Sequence, residues 1–128
     1  LIRDLNTIKY STNPYNVNAM TMAAGLGALE DEDYFRENCE KICRTRAWTT
    51  EKLRQMGFLT ADSMTNFVLA KHPGIPGREL YRMLRERGIL VRHFDTPRLT
   101  EYNRITIGSQ EQMEKFIDVT MKILEEVL

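Results

Sequence analysis

Cysteine is scarce, net charge is absent and long apolar runs are missing, and each shortage removes a class of function. The 128 residues include two cysteines. Cys39 and Cys43 stand at i and i+4 of an expected helix, where adjacent turns hold side chains in poor geometry for a disulfide. Plain helix-face thiols are the expectation, and reduced thiols suit a cytoplasmic protein. A zinc site needs more ligands, and His72 and His93 lie far away in sequence. Eighteen Lys and Arg are balanced by eighteen Asp and Glu, which leaves no basic field to recruit nucleic acid or an anionic membrane. No apolar run is long enough to span a bilayer. The start, Leu1-Ile-Arg-Asp-Leu-Asn6, carries charge within a helical pattern, so no signal peptide is expected there, and a start without methionine suggests an excised segment. Gly74 and Gly77 lack the strand-to-helix spacing of a nucleotide loop. No serine stands in a nucleophile elbow, and no repeat or low-complexity tract occurs.

What is there is ordinary globular material, 42% hydrophobic, with a period that changes along the chain. Leu1, Leu5 and Ile8 mark a helix over residues 1–10. Ser11-Thr-Asn-Pro-Tyr15 is a break, because proline biases its predecessor away from helix. Asn16 or Asn18 then caps a helix rich in small residues that ends near Glu30. Asp31 opens a long helix with acidic residues in its first turn, as the macrodipole favours. Phe35, Cys39, Ile42, Trp48, Leu53 and Met56 form its inward row, and Gly57 ends it. Strands are expected at residues 58–60 and 65–71, and Pro73-Gly-Ile-Pro-Gly77 is a loop. Residues 78–87 form a short helix with Leu80, Met83 and Leu84 inward, closed by Gly88. Strands follow at 89–94 and 104–107. Ser109-Gln-Glu-Gln112 matches a capping box, and the last helix buries Met113, Phe116, Ile117, Thr120, Leu124 and Val127. This order predicts a two-layer α/β (α+β) sandwich, a small, mainly antiparallel sheet covered by helices.

Two arginines carry the chemical interest. Alternation places Leu90, Arg92 and Phe94 on one strand face and Ile89, Val91 and His93 on the other. Arg104 and Thr106 share a face opposite Ile105 and Ile107. An arginine in an apolar strand needs an anion or a satisfied network, because an unpaired buried charge is expensive. Two readings stay open: an internal salt bridge to Glu101, Asp95 or Glu111, which is the commoner arrangement, or a small anionic substrate gripped by the guanidinium fork. His93 is of the residue type suited to general acid or base work, but no nucleophile stands beside it, so it reads as structural. His72, before a proline at a strand end, reads as exposed, and Trp48 as core or interface.

Four segments, spread over almost the whole chain, resemble the histidinol-phosphate aminotransferase family. They are Lys9-Tyr-Ser-Thr-Asn-Pro-Tyr-Asn-Val-Asn18, Ser63-Met-Thr-Asn-Phe-Val68, Arg87-Gly-Ile-Leu-Val-Arg-His-Phe94 and Arg104-Ile-Thr-Ile-Gly-Ser-Gln-Glu-Gln112. The resemblance implies the C-terminal third of a fold-type-I, pyridoxal-phosphate-dependent transaminase. Residues 1–30 would be helices leading from a large domain, and 31–128 the small domain. It implies that Arg104 grips the substrate carboxylate and Arg92 the substrate phosphate, with Asn66 and Tyr15 in matching motifs as minor contacts. The reaction implied is amino transfer between histidinol phosphate and 2-oxoglutarate in histidine biosynthesis, by a cytoplasmic homodimer. The family's Schiff-base lysine and cofactor contacts would lie upstream of Leu1, and none of Lys9, Lys41, Lys52, Lys71, Lys115 and Lys122 matches that lysine. The chain alone is therefore expected to hold no cofactor and to be inactive. The alternatives are an aromatic-amino-acid aminotransferase or a phosphothreonine decarboxylase of the same fold, or a non-catalytic, stand-alone interaction domain.

Overall fold

Helix-period segments fill the first half of the chain and strand-period segments alternate with helices in the second. A computed structural model describes residues 1–12 and 17–128, with the Thr12 side chain excepted. The elements are α1 (Ile2–Thr12), α2 (Ala19–Glu30), α3 (Glu32–Gln55), β1 (Leu59–Thr60), β2 (Phe67–Lys71), α4 (Gly77–Glu86), β3 (Arg92–His93), β4 (Asn103–Thr106) and α5 (Gln110–Val127). The chain divides into two units, Leu1–Glu37 and Asn38–Leu128.

In the first unit α1 runs through Ser11 and Thr12, two residues beyond the expected stop. The hydroxyls of Thr7 and Ser11 donate to the Arg3 and Thr7 carbonyls one turn back, so these residues bond within the helix rather than ending it. Pro14, Tyr15 and Asn16 lie outside the described residues. Asn18 caps α2, its Oδ1 accepting from Thr21 N at 2.9 Å, and Asp31 accepts from Tyr34 N ahead of α3. No residue of α2 is buried. Leu5, Val17 and Met22 are exposed, and Phe35, expected inward, is 61% exposed.

The second unit is a four-stranded sheet of order β1-β2-β4-β3, antiparallel throughout. Val68 and Ala70 of β2 and Ile105 of β4 point into one core with Leu53, Leu80, Leu84, Met113, Phe116, Ile117, Ile123 and Leu124. The helices therefore cover one face of the sheet, giving the two layers that alternation demands. The inward row of α3 is Ile42, Thr45, Thr49 and Leu53, with Met56 just past its end, and two of its fully or nearly buried members are threonines. Cys39 is half-buried and Cys43 exposed, both as free thiols. On α5, Ile123 takes the core position that the sequence pattern assigned to Val127, which is 40% exposed. Trp48 packs half-buried against the core. His72 is half-buried too: its ring meets Phe58 edge-on at 5.0 Å and its Nδ1 accepts from Gly74 N.

Three strands are shorter than the sequence predicts: β2 begins at Phe67 rather than at residue 65, and β1 and β3 are cut back for a shared reason. After α3, Phe58 N bonds back to Leu53 O and Gly57 N to Arg54 O, with Gly57 at φ +87°. After α4, Ile89 N bonds to Leu84 O and Gly88 N to Arg85 O, with Gly88 at φ +76°. These are left-handed glycine caps, and they tie the first residue after each glycine to the helix behind it. Phe58 is thus outside β1. The expected strand over 89–94 shrinks to Arg92–His93, although Ile89 and Val91 still pack on the core.

Candidate functional site: a paired-arginine face on the open side of the sheet

The register of β3 against β4 sets Arg92 directly opposite Arg104, and β2 sets Leu69 on the other side of Arg104. Alternation then places Phe67, Leu69 and Lys71 of β2 with both arginines on the sheet face away from the helices. Aromatic rings flank the guanidinium groups. Arg104 Cζ is 5.2 Å from the Phe67 ring centroid and 5.9 Å from that of Phe94. Arg92 Cζ is 5.2 Å from the same Phe94 ring. Lys71 Nζ lies 5.0 Å from the Tyr102 centroid.

No carboxylate among the described residues lies within ion-pair distance of either arginine. Asp95, one of the partners open to Arg104 in the sequence, pairs with Arg78, and Arg104 Nε is buried without a hydrogen-bond partner. Like charges directly across a ladder repel. A cation over a ring recovers about 0.5–1 kcal/mol at exposed sites, an amount that barely offsets such repulsion. A bound oxyanion adds about 1.5–3 kcal/mol per charge-assisted hydrogen bond, the largest favourable term open to this face.

The strand that carries Arg92 is only two residues long and is held from the helix side. Asn103, 1% exposed, donates from Nδ2 to Gly77 O at 2.8 Å. Its Oδ1 faces His93 Nδ1 at 3.2 Å. An amide oxygen only accepts, so Nδ1 carries the proton. The His93 side chain is 7% exposed and its ring stacks on Tyr81 at 5.9 Å. His93 Nε2 has no hydrogen bond, with Asp95 Oδ1 3.5 Å away. His93 is thus held within the protein by Asn103 and the Tyr81 ring. Close approach at the network's far end depends on Gly77: a Cβ there would sit 2.6 Å from the Glu101 carbonyl carbon.

Asn66 precedes β2 and is exposed, and its backbone carbonyl accepts from Ile107 N. Tyr15 lies outside the described residues. Phe67 and Phe94 were not singled out in sequence, although parity already put Phe94 on the Arg92 face. Asn103 gave no signal at all. A pyridoxal-phosphate site needs a lysine for the aldehyde and an acid for the ring nitrogen. On this face the strands offer Lys71, stacked on Tyr102, and no Asp or Glu, so the residues present do not fit that cofactor. Among the described residues there is also no cluster able to hold a metal ion, and no helix is long and apolar enough to cross a membrane.

A helix-backed antiparallel sheet of this kind occurs in solved aminotransferase structures of the class I and II type. The chain belongs to that family, whose model matches residues 5–119. Within it, the likeness read from sequence holds. Histidinol-phosphate aminotransferase of Brachyspira hyodysenteriae is 38% identical over 125 residues, covering 98% of this chain and 35% of the relative. The crystal structure of the Clostridium acetobutylicum histidinol-phosphate aminotransferase superposes with a TM-score of 0.79 at 26% identity, over 93% of this chain and 37% of that one. L-threonine-O-3-phosphate decarboxylase of Porphyromonas gingivalis superposes with a TM-score of 0.64 at 28% identity, over 85% and 35%. The chain thus spans about a third of the length of the curated relatives it matches.

Proposed function

We propose that this chain is the substrate-clamping, C-terminal part of a histidinol-phosphate transaminase, with 31–128 as the small domain and 1–30 leading to a large one. The observation that carries the reading is the cross-strand pair Arg92 and Arg104 on the open sheet face, without a carboxylate partner among the described residues. Arg104 binds the carboxylate of the amino-acid substrate and Arg92 the phosphate of the amine substrate. Both targets are oxyanions that match a planar fork of donors. Pyridoxal phosphate, when bound, supplies the electron sink for amino transfer; its lysine and ring contacts belong to the part of the polypeptide outside this chain. Coverage of about a third of the relatives' length supports that division, as does the absence of a fitting lysine and acid on this face.

The test is kinetic and uses the full-length enzyme. Arg104→Ala should weaken amino-acid substrate binding by about ten- to a hundredfold, the equivalent of a lost charge-assisted bond. Arg92→Ala should penalise a phosphorylated amine more than an unphosphorylated aromatic amino acid. Unchanged KM and kcat in Arg104→Ala, or equal penalties in Arg92→Ala, would refute the assignment.

Likeness to the phosphothreonine decarboxylase favours a second reading, since that substrate also carries a phosphate and a carboxylate. Release of carbon dioxide without a 2-oxo acid acceptor would establish it in place of the transaminase.

A further inference from the structure

We propose that Phe94 is a positioning residue that holds the Arg92 and Arg104 guanidinium groups at a fixed separation for oxyanion binding. The inference rests on the anion-binding reading of the two arginines and adds a residue to it. One ring serves both groups, at 5.2 Å from Arg92 Cζ and 5.9 Å from Arg104 Cζ. Phe67 holds the other contact of Arg104 at 5.2 Å. A carboxylate in the same place would also fix the arginines, but it would consume their donors and neutralise their charge. A ring attracts the cation through its quadrupole and accepts none of the in-plane N–H groups. The terminal N–H groups of each fork are therefore not consumed by a protein acceptor and can point at an anion, and a large part of the ordering entropy is met before binding. The location makes such a device necessary. Arg92 sits on a two-residue strand, where backbone pairing alone constrains a long side chain poorly, and Arg104 Nε has no hydrogen-bond partner among the described residues.

The experiment compares two aromatic variants, Phe94→Tyr and Phe94→Trp, with two aliphatic ones, Phe94→Leu and Phe94→Met, in the full-length enzyme. Arg92→Ala and Arg104→Ala are controls. Phe94 is only half-buried, so at least one variant of each pair should fold, as checked by thermal melting. The first readout is the inhibition constant of inorganic phosphate. It should rise by about five- to thirtyfold in the aliphatic pair, the sum of two cation–ring contacts, and change little in the aromatic pair. KM for the phosphorylated substrate should follow it while kcat does not. The second readout is the NMR shift of the arginine Nε–H groups. Ring currents should displace the Arg104 signal in wild type and in the aromatic pair, and the aliphatic pair should lose the Phe94 share.

Equal phosphate inhibition in all four variants, with both arginine controls impaired, overturns the role of Phe94 and leaves the anion site standing. Equal inhibition in the arginine controls as well overturns both.

Discussion

Asn103 has little room to be anything else. It ties the Gly77 carbonyl to the His93 ring from a buried position, and replacing it with alanine leaves both unsatisfied. A buried polar group left without its partner costs about 1–3 kcal/mol, and each 1 kcal/mol lowers Tm by roughly 4–8 °C in a domain of this size. Asn103→Ala should therefore melt several degrees lower, and an unchanged Tm would show that the network carries no stability. Thr49 presents the opposite case. Its side chain is fully buried and its hydroxyl has no partner. Thr49→Val removes that group at nearly constant volume and should stabilise by about 1 kcal/mol, read as a higher midpoint in urea. A lower midpoint would mean that the hydroxyl is satisfied in solution. Neither residue announced itself in the sequence. A threonine on a helix and an asparagine before a strand are unremarkable until the packing around them is known.

At the scale of elements, local chemistry was highly legible. Ser109 accepts from Gln112 N while Ser109 N donates to Gln112 Oε1 at 2.9 Å, the reciprocal pair expected from four residues of sequence. Ser109→Ala should cost about 1 kcal/mol. Because the two bonds form one unit, the double variant Ser109→Ala/Gln112→Ala should cost less than the sum of the singles. Strict additivity in a denaturant cycle would count against the capping box. Strand limits were less legible. Residues 89–91 have strand composition, but the α4 cap takes the Ile89 N–H and delays pairing to Arg92. The same happens to Phe58 after α3. A hydrophobic pattern reports which side chains are buried, and it is silent on which neighbour claims the backbone.

For the molecule as a whole, the proposed function makes the face that carries Arg92 and Arg104 one wall of a site. Phe67, Leu69 and Lys71 extend it, and nothing on these strands opposes it with an acid. Adding pyridoxal phosphate to this chain alone should yield no absorbance band that a substrate amine can discharge. A band that forms stoichiometrically and is lost on adding the amine would overturn the division of labour proposed above. Leu5, Val17 and Met22, apolar and exposed in the first unit, are the places where a chain so divided is prone to associate with itself.

The sequence by itself determined the element types, the caps, the alternation that put Arg92 and Phe94 on one strand face, and the family likeness. These depend on neighbours within a few residues, or on motifs that survive as strings. Only the tertiary structure decided that Arg92 lies opposite Arg104, that Asp95 belongs to Arg78, and that one phenyl ring touches both guanidinium groups. Those facts follow from the register between strands separated by a nine-residue connection and from which charges reach each other first. Pairing across a sheet is fixed by burial of the whole core, a non-local sum that no short segment contains.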